Sequence, residues 1–507
     1  MYFYRWWLAE RFIAMVDMVT ITDTPLLPAT MRCMGSTIGA HCHIGITAPS
    51  SALDSIFIGD DVTLGKDTLL STSWVERGRL VLAPIFIGSD VQIGTNSVIE
   101  GGSSIGDGSN LDALSMVSQA VNIPPAERWS GSPVRCHSDA QDIGDAKTSR
   151  PSQTRVIAMM IVKSLTSLFV LSVVYSAPQI PTLLFDYANF PGMRRWTQTA
   201  IFCAPAAVAY MCLVFIELVI PKWVVLGKVK ERSYRTTSIY FYRKWFMGRL
   251  MDISLVVLRP LYATLYIVPF LRSWGVNIAH GPEVSTARGV NFELTEIGEE
   301  SFVADGVFHG NEEVHRHFVT LKKTKLNKRT FCGNASLVPQ GTELASNTLI
   351  GVLSLAPEKA LKEGESCFGS PPVLMSSRQR GIINHADRLL YAAVPKQIAL
   401  RLLVEGIRIL VPRVLIIFGL GFVLQVIEAW NNHFNMWILL PVAPFFFLFF
   451  KYQICLSCAL NRQLTYRRQS SHSPPSSQQS SSNGSSSAVT SQPNIPSGPS
   501  TSGSRNS

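Results

Sequence analysis

The sequence predicts a mixed fold in which two left-handed parallel β-helix domains, related by tandem duplication, alternate with transmembrane α-helical hairpins. Three observations carry this reading. Apolar residues recur at every sixth position from Ile87 through Ile93, Ile99, Ile105 and Leu111 to Val117. Four apolar runs, at 156–176, 200–220, 409–427 and 436–456, reach the ~20 residues a helix needs to cross a bilayer. The phrase YFYRWWLAERF at 2–12 returns as YFYRKWFMGRL at 240–250.

The six-residue period is the signature of a hexapeptide-repeat β-helix. Each hexad supplies a short strand and a corner, and three hexads close one triangular coil. The first residue points into the prism, where β-branched bulk fills space. Four positions later stands a small residue, at Val91, Ser97, Ser103, Ser109 and Ser115. Gly, Asn and Asp near the corners permit turn conformations that larger residues resist. Such a coil departs from the usual right-handed crossover. An alternating antiparallel sheet would need period two. Hexads at Ile38 to Ile44, Ile58, Leu64 and Leu70 extend the solenoid toward the amino terminus, and residues 71–86 break the period and must loop out.

The second half repeats the plan at an offset near 239. Ile278 and Val284 match Ile38 and Ile44, Ile297 and Val303 match Ile58 and Leu64, and Leu326, Cys332, Val338, Leu344 and Ile350 match Ile87 through Leu111. Both copies close on the same phrase, GSPV at 131–134 and GSPPV at 369–373, where proline cannot continue a paired strand.

The domain plan is therefore an amphipathic interfacial segment (1–30), a first β-helix (31–136), a linker (137–155) and a hairpin (156–220). A basic, aromatic interfacial segment (221–272), a second β-helix (273–375), a linker (376–408), a second hairpin (409–460) and a disordered tail (461–507) follow. The tail is nearly all Ser, Pro, Gln, Asn and Gly and cannot bury enough apolar surface to order itself. The run at 251–270 is long enough to span, but Arg259 and Pro260 sit at its middle and its duplicate at 13–30 is too polar. Both are expected at the interface or against the solenoid base. Trp6, Trp7 and Trp245 suit headgroup depth, with Arg5, Arg11, Arg243 and Arg249 facing phosphates; packing on the solenoid base is the alternative.

Only 16% of the 507 residues are charged, against ~25% in a typical soluble protein. The net charge of +10 concentrates beside the apolar runs, which places both solenoids and both termini on the cytoplasmic side of a four-helix, multi-pass membrane protein. No nucleic-acid recognition motif accompanies the charge. Lys163 and Arg413 fall inside expected spans, where snorkelling toward the interface is the simplest reading. The nine cysteines have no paired metal spacing and no dense framework, so they read as reduced thiols.

The strings TPLLPATMRCMGSTIG, SFVADGV, FCGNASLVPQGTELASNTLIGVLSLAP and GSPPV resemble the carboxy-terminal membrane region of polylysine-synthetase-type nonribosomal peptide synthetases, over about residues 2–466. The resemblance implies tandem, trimeric-acyltransferase-like solenoids between membrane helices that join an aminoacyl thioester to an amine. The chain departs from that pattern in carrying no adenylation domain or carrier-type serine motif, and two solenoids in place of three soluble units. Met1 stands just before the first YFYR phrase, as though an upstream segment preceded it.

Hexapeptide-solenoid acyltransferases bind a pantetheine thioester along the coils, and many use a histidine as general base. The candidates are His41 and His43 at a corner of the first solenoid, His280 in the second, and His309, His315 and His317 in the aperiodic stretch FHGNEEVHRHF, where Glu313 stands ready to orient a ring. Asp305 and Asn334 match motifs of the resembled family, and corner turns account for them equally. A zinc site from His309, His315 and His317 is the weaker reading, because their spacing is not diagnostic; no metal and no resident cofactor is expected. The donor would be a phosphopantetheine thioester, on coenzyme A or on the carrier protein of a separate synthetase. The expected function is acyl or aminoacyl transfer to an amine or hydroxyl; the alternative is a noncatalytic membrane scaffold. The solenoids are expected to pair as homo-oligomers or within one chain.

Overall fold

The fold was obtained as a computed structural model that describes residues 2–15, 21–47, 50, 52–137, 153–166, 194–310, 312–315, 318–378 and 394–431. His317, the expected span at 436–456, the remainder of the 156–176 span beyond Thr166 and the serine-rich tail lie outside these residues. Through Val426 the chain is one compact unit; of a second, the structure describes the helical residues 427–431.

In the first solenoid the hexad frame becomes three stacked parallel sheets. On one face Ile58, Ile87, Ile105 and Ile123 pair in successive coils. On the second face Ile44, Leu64, Ile93, Leu111 and Trp129 follow one another, and on the third Leu70, Ile99 and Val117. The apolar hexad residues Ile87 to Val117 are at most 4% exposed, so each hexad contributes one large side chain to the prism. Ser97, Ser103, Ser109 and Ser115 are also sealed inside. The hydroxyls of Ser97, Ser103 and Ser109 donate to backbone carbonyls, as where Ser109 reaches Pro124 O at 2.7 Å, and Ser115 Oγ accepts from Gly131 N at 3.1 Å, which offsets the cost of burying a polar group. Gly106 follows its interior isoleucine because a Cβ there would lie 2.5 Å from Pro125 N of the next coil. Corners take positive φ at Asp61, Asp90 and Asn96, as expected, but also at Leu114, Ala120 and Ala126. Pairing above and below holds these residues in a conformation that costs about 1–2 kcal/mol each.

The interruption at 71–86 is a projecting antiparallel hairpin, Ser73–Glu76 against Arg79–Leu82, turning at Arg77 and Gly78, both with positive φ. The second solenoid has the same three-sheet layout, with Ile278, Ile297, Leu326 and Leu344 on one face and Val284, Val303, Cys332, Ile350 and Cys367 on another. The aperiodic stretch FHGNEEVHRHF is largely strand among its described residues. His309 still belongs to a coil, paired with Val338, and Glu313–His315 forms an antiparallel sheet with Phe318–Leu321 and Arg232–Arg235.

Helices cap and flank the coils. We number them α1 (Tyr2–Met15), α2 (Leu26–Cys33), α3 (Gln153–Leu165), α4 (Arg195–Pro221), α5 (Ile239–Val257), α6 (Ile267–Ser273) and α7 (Pro395–Asn431). Helices α2 and α6 close the bases by one device. Arg32 Nε donates to Ile38 O at 3.0 Å and Arg272 Nε to Ile278 O at 3.1 Å, occupying carbonyls that an open sheet edge would leave bare. The run at 251–270 is not one helix: α5 ends at Val257, a 3₁₀ turn covers Arg259–Leu261, and α6 begins at Ile267.

The second YFYR phrase opens α5, whose N-cap Ser238 accepts from Phe241 N at 3.1 Å. Trp245 (4% exposed) and Arg249 (3%) are buried inside the protein, which corrects the expectation of headgroup depth for this copy. Lys163 does not snorkel either. Its Nζ lies 4.7 Å from the Phe241 ring and 5.0 Å from that of Trp245, a cation–π seat that replaces lost hydration. Arg413 stacks on Tyr210 at 3.9 Å where α7 crosses α4, a contact built on Ala206, Ala207 and Ile417.

Candidate active site

The two solenoids lie side by side. Leu114 of the first meets Phe308 and Leu337 of the second, Arg288 pairs with Asp67, and the two closing phrases touch where Ser132 N donates to Ser370 O at 2.8 Å. Between them a cleft of about 620 Å³ opens, with His43, Lys66 and Arg128 on one wall, Glu312 and Pro371 on the other, and Trp245 among its lining side chains.

His43 reaches the cleft from the strand His43–Ile44, where strand alternation turns Ile44 into the core and the imidazole outward. Its Nε2 stands 3.5 Å from Asp23 Oδ1. Asp23 sits at positive φ in the turn before α2, and its other oxygen accepts from Arg249 Nη2 at 2.9 Å. Arg249 also pairs with Asp252 at 2.8 Å. Burial alone would raise the Asp23 carboxyl, but Arg249, His43, Lys66 and Lys163 outweigh it and hold Asp23 ionised, below its usual range. Burial pushes His43 below its ordinary value, opposed by Asp23 and reinforced by Lys163. A neutral imidazole is thus stable at neutral pH, with an anion to stabilise the cation it becomes. Asp23 Oδ1 makes no hydrogen bond among the described residues, so at 3.5 Å it acts on the imidazole by its charge.

Glu312 faces the same cleft, tied to Lys244 at 2.8 Å; burial would raise its carboxyl, and Lys244 and Lys66 keep it low. Burial raises the thiol of neighbouring Cys42, so no ready thiolate stands beside His43. Trp245 Nε1 is buried without a hydrogen-bond partner among the described residues.

The other sequence candidates do not meet here. His309 is fully buried in the second coil, both ring nitrogens unpaired among the described residues, and burial pushes it down to about 4. His41 occupies a positive-φ corner, and His280 a turn whose carbonyl accepts from Glu300 N at 3.4 Å. The backbones of Glu313 and His315 lie in the antiparallel sheet. Asp305 and Asn334 build an exposed corner ladder in which Asp305 N donates to Asn334 Oδ1 at 3.3 Å. Among the described residues no three His, Cys, Asp or Glu side chains gather as a metal would need. Sequence reasoning missed Asp23 and the exposed His137 at the cleft, and it set Arg249 against phosphates where the structure sets it against Asp23.

The arrangement is not repeated at the base of the second solenoid. Thr24 and Thr264 make the same turn, each accepting from the residue two positions on at 3.3 Å, so Ala263 corresponds to Asp23. Glu283 begins the strand that matches His43–Ile44, and it binds Arg401 Nη1 at 2.5 Å.

No family model matches the chain. Over 452 residues, 85% of its length, it is 29% identical to the Delta-poly-L-ornithine synthetase of Acinetobacter baumannii (strain AB307-0294). The chain resembles part of a polyamino-acid synthetase. It spans about a third (33%) of that relative's length. Among solved structures, the hexapeptide-repeat acetyltransferase of Vibrio cholerae O1 biovar eltor complexed with acetyl coenzyme A is 24% identical, at a TM-score of 0.21 over 27% of this chain and 88% of that one. A galactoside acetyltransferase in complex with coenzyme A is 25% identical, at a TM-score of 0.21 over 24% of this synthetase-like chain and 77% of that one. Helices α4, continued as residues 222–226, and α7 are long and apolar enough to cross a membrane.

Proposed function

We propose that this chain is a membrane-bound acyl or aminoacyl transferase that joins a thioester-bound acyl group to an amine or hydroxyl acceptor in the cleft between its solenoids. The observation that carries the reading is the half-buried His43 beside the buried Asp23, both lining that cleft. The neutral His43 imidazole takes a proton from the acceptor as the acceptor's nitrogen or oxygen attacks the thioester carbonyl carbon. The C–S bond then breaks, and the leaving thiolate recovers the proton from the imidazolium. Asp23 stabilises the imidazolium between these events. The donor is a phosphopantetheine thioester, on coenzyme A or a carrier protein, with Lys66 and Arg128 at the cleft to meet its anionic or polar groups.

The left-handed coils, their tandem duplication and their alternation with membrane hairpins belong to the same reading, supported by matching sheet layouts and by the pair of apolar helices. So does a four-span topology with solenoids and termini cytoplasmic, which rests on the Lys and Arg residues flanking the spans. Membrane-reconstituted protein is supplied with aminoacyl thioesters of coenzyme A and of a carrier protein, plus an amine acceptor, and amide formation is followed by mass spectrometry. Loss of about 10²–10⁴ in rate is expected for His43→Ala. Undiminished product from that variant, together with loss on disrupting α4, would establish the scaffold alternative.

A further inference from the structure

The two YFYR phrases are alike in sequence and opposite in environment. In α5, Phe241 and Trp245 close over Lys163 of the preceding helix α3, and Arg249 reaches Asp23 of the preceding solenoid. At the offset of 238, Phe3, Trp7 and Arg11 of α1 stand where α5 has Phe241, Trp245 and Arg249. Phe3 is 55% exposed and Trp7 45%. Arg11 folds over its own Trp7 ring at 5.8 Å and meets only Glu10, at 3.8 Å, among the described residues.

The complementary half is partly exposed, its cation held by Glu283 and Glu405. Arg401 of α7 follows Lys163 by the same 238 residues in sequence. Like Lys163, which acts electrostatically on His43, it faces the first strand pair of its solenoid, through Glu283. Its side chain remains 44% exposed and that of Glu283 46%, and Leu400 and Leu403 beside it are exposed. No aromatic clamp closes over this cation among the described residues.

We infer that α1 docks on the Arg401 end of α7 in a second copy of this chain, Phe3 and Trp7 clamping Arg401 as Phe241 and Trp245 clamp Lys163; because Ala263 stands where Asp23 does, the acid left for Arg11 is Glu283, at the position of His43. The contact is head-to-tail, so the same step that relates the two solenoids within one chain continues into the next, and copies close into a ring if the rotation permits. The template is internal: the interface already exists once, between α5 and α3.

The inference is independent of catalysis, and its test reads association alone. Differently tagged Trp7→Cys and Arg401→Cys variants of the full chain are mixed in membranes and treated with a short bismaleimide, beside wild type and each variant alone. A mixed-tag adduct well above these backgrounds is expected. The pair Phe3→Cys and Leu400→Cys repeats the test without touching the Arg401–Glu283 bond. Self-association by sedimentation in detergent should weaken at least tenfold in Phe3→Ser/Trp7→Ser. The inference is overturned if both mixed pairs give only background, if a doubly substituted chain cross-links only within itself, or if Phe3→Ser/Trp7→Ser self-associates like wild type.

Discussion

Arg249 and Asp23, 226 residues apart in sequence, form a buried hydrogen-bonded ion pair of 2.9 Å. It ties the helix that introduces the second solenoid to the turn that orients His43 of the first. Replacing Arg249 by Met leaves Asp23 buried without its main counter-charge, and breaking such a pair costs about 3–5 kcal/mol. Thermal unfolding should shift markedly downward, and the transfer rate should fall in the protein that remains folded.

Asp23→Asn keeps the shape and removes the charge. The imidazolium then loses its anion, so the rate should drop by about 10²-fold or more with little change in acceptor KM. Steady-state kinetics of the reconstituted protein would check this, and an unchanged rate would remove Asp23 from the mechanism.

Lys163→Met tests the electrostatics of the cleft. Burial and then Lys163 depress His43, against the pull of Asp23. Removing this positive charge raises the His43 pKa, so the acidic limb of the rate–pH profile should move to higher pH. An unmoved limb would mean that His43 is not the group titrating.

His309 predicts a pH effect on stability rather than on rate. Its folded value is about 4 against ~6.5 in the unfolded chain. Between these values the unfolded state binds the extra proton, so stability is full above pH ~6.5 and falls as pH drops toward 4, by at most about 3 kcal/mol. His309→Leu should flatten this dependence in denaturation measured from pH 7 to 4.5 while leaving transfer intact.

Two glycines separate backbone strain from close packing. At Gly333 a Cβ would meet Val352 N at 2.7 Å and Gly351 C at 2.8 Å, rigid backbone of the next coil, so Gly333→Ala should cost several kcal/mol. At the hairpin tip Gly78 has open space but a φ of +74°, and Gly78→Ala should cost only about 1 kcal/mol. Melting temperatures of the two variants give the comparison.

The interior of the solenoids was legible because period six leaves no freedom: once Ile87 faces inward, Ile93 through Val117 must follow, and the pairings observed are those the frame requires. The cleft was not legible. His43 reads as a corner histidine, yet the corner is at His41 and His43 opens a strand; its partner Asp23 lies in a turn without periodicity, and Arg249 reaches it from another repeat. Histidine-rich FHGNEEVHRHF drew attention by composition, yet strand pairing carries His309 into the core, a consequence of register that residue type does not reveal. Lys163 shows the same limit. A lysine in an apolar run reads as snorkelling until the Phe241 and Trp245 that receive it, some 80 residues later, are seen.

Ala263 and Glu283, standing where the first solenoid has Asp23 and His43, set a stoichiometry. A repeat that kept its architecture but not its acid–base pair leaves, under the proposed mechanism, one turnover centre in this chain among the described residues. Rapid-mixing experiments with a thioester donor should therefore give a first-turnover amplitude of one equivalent per chain, and an assembly of copies would hold as many independent centres as it has chains.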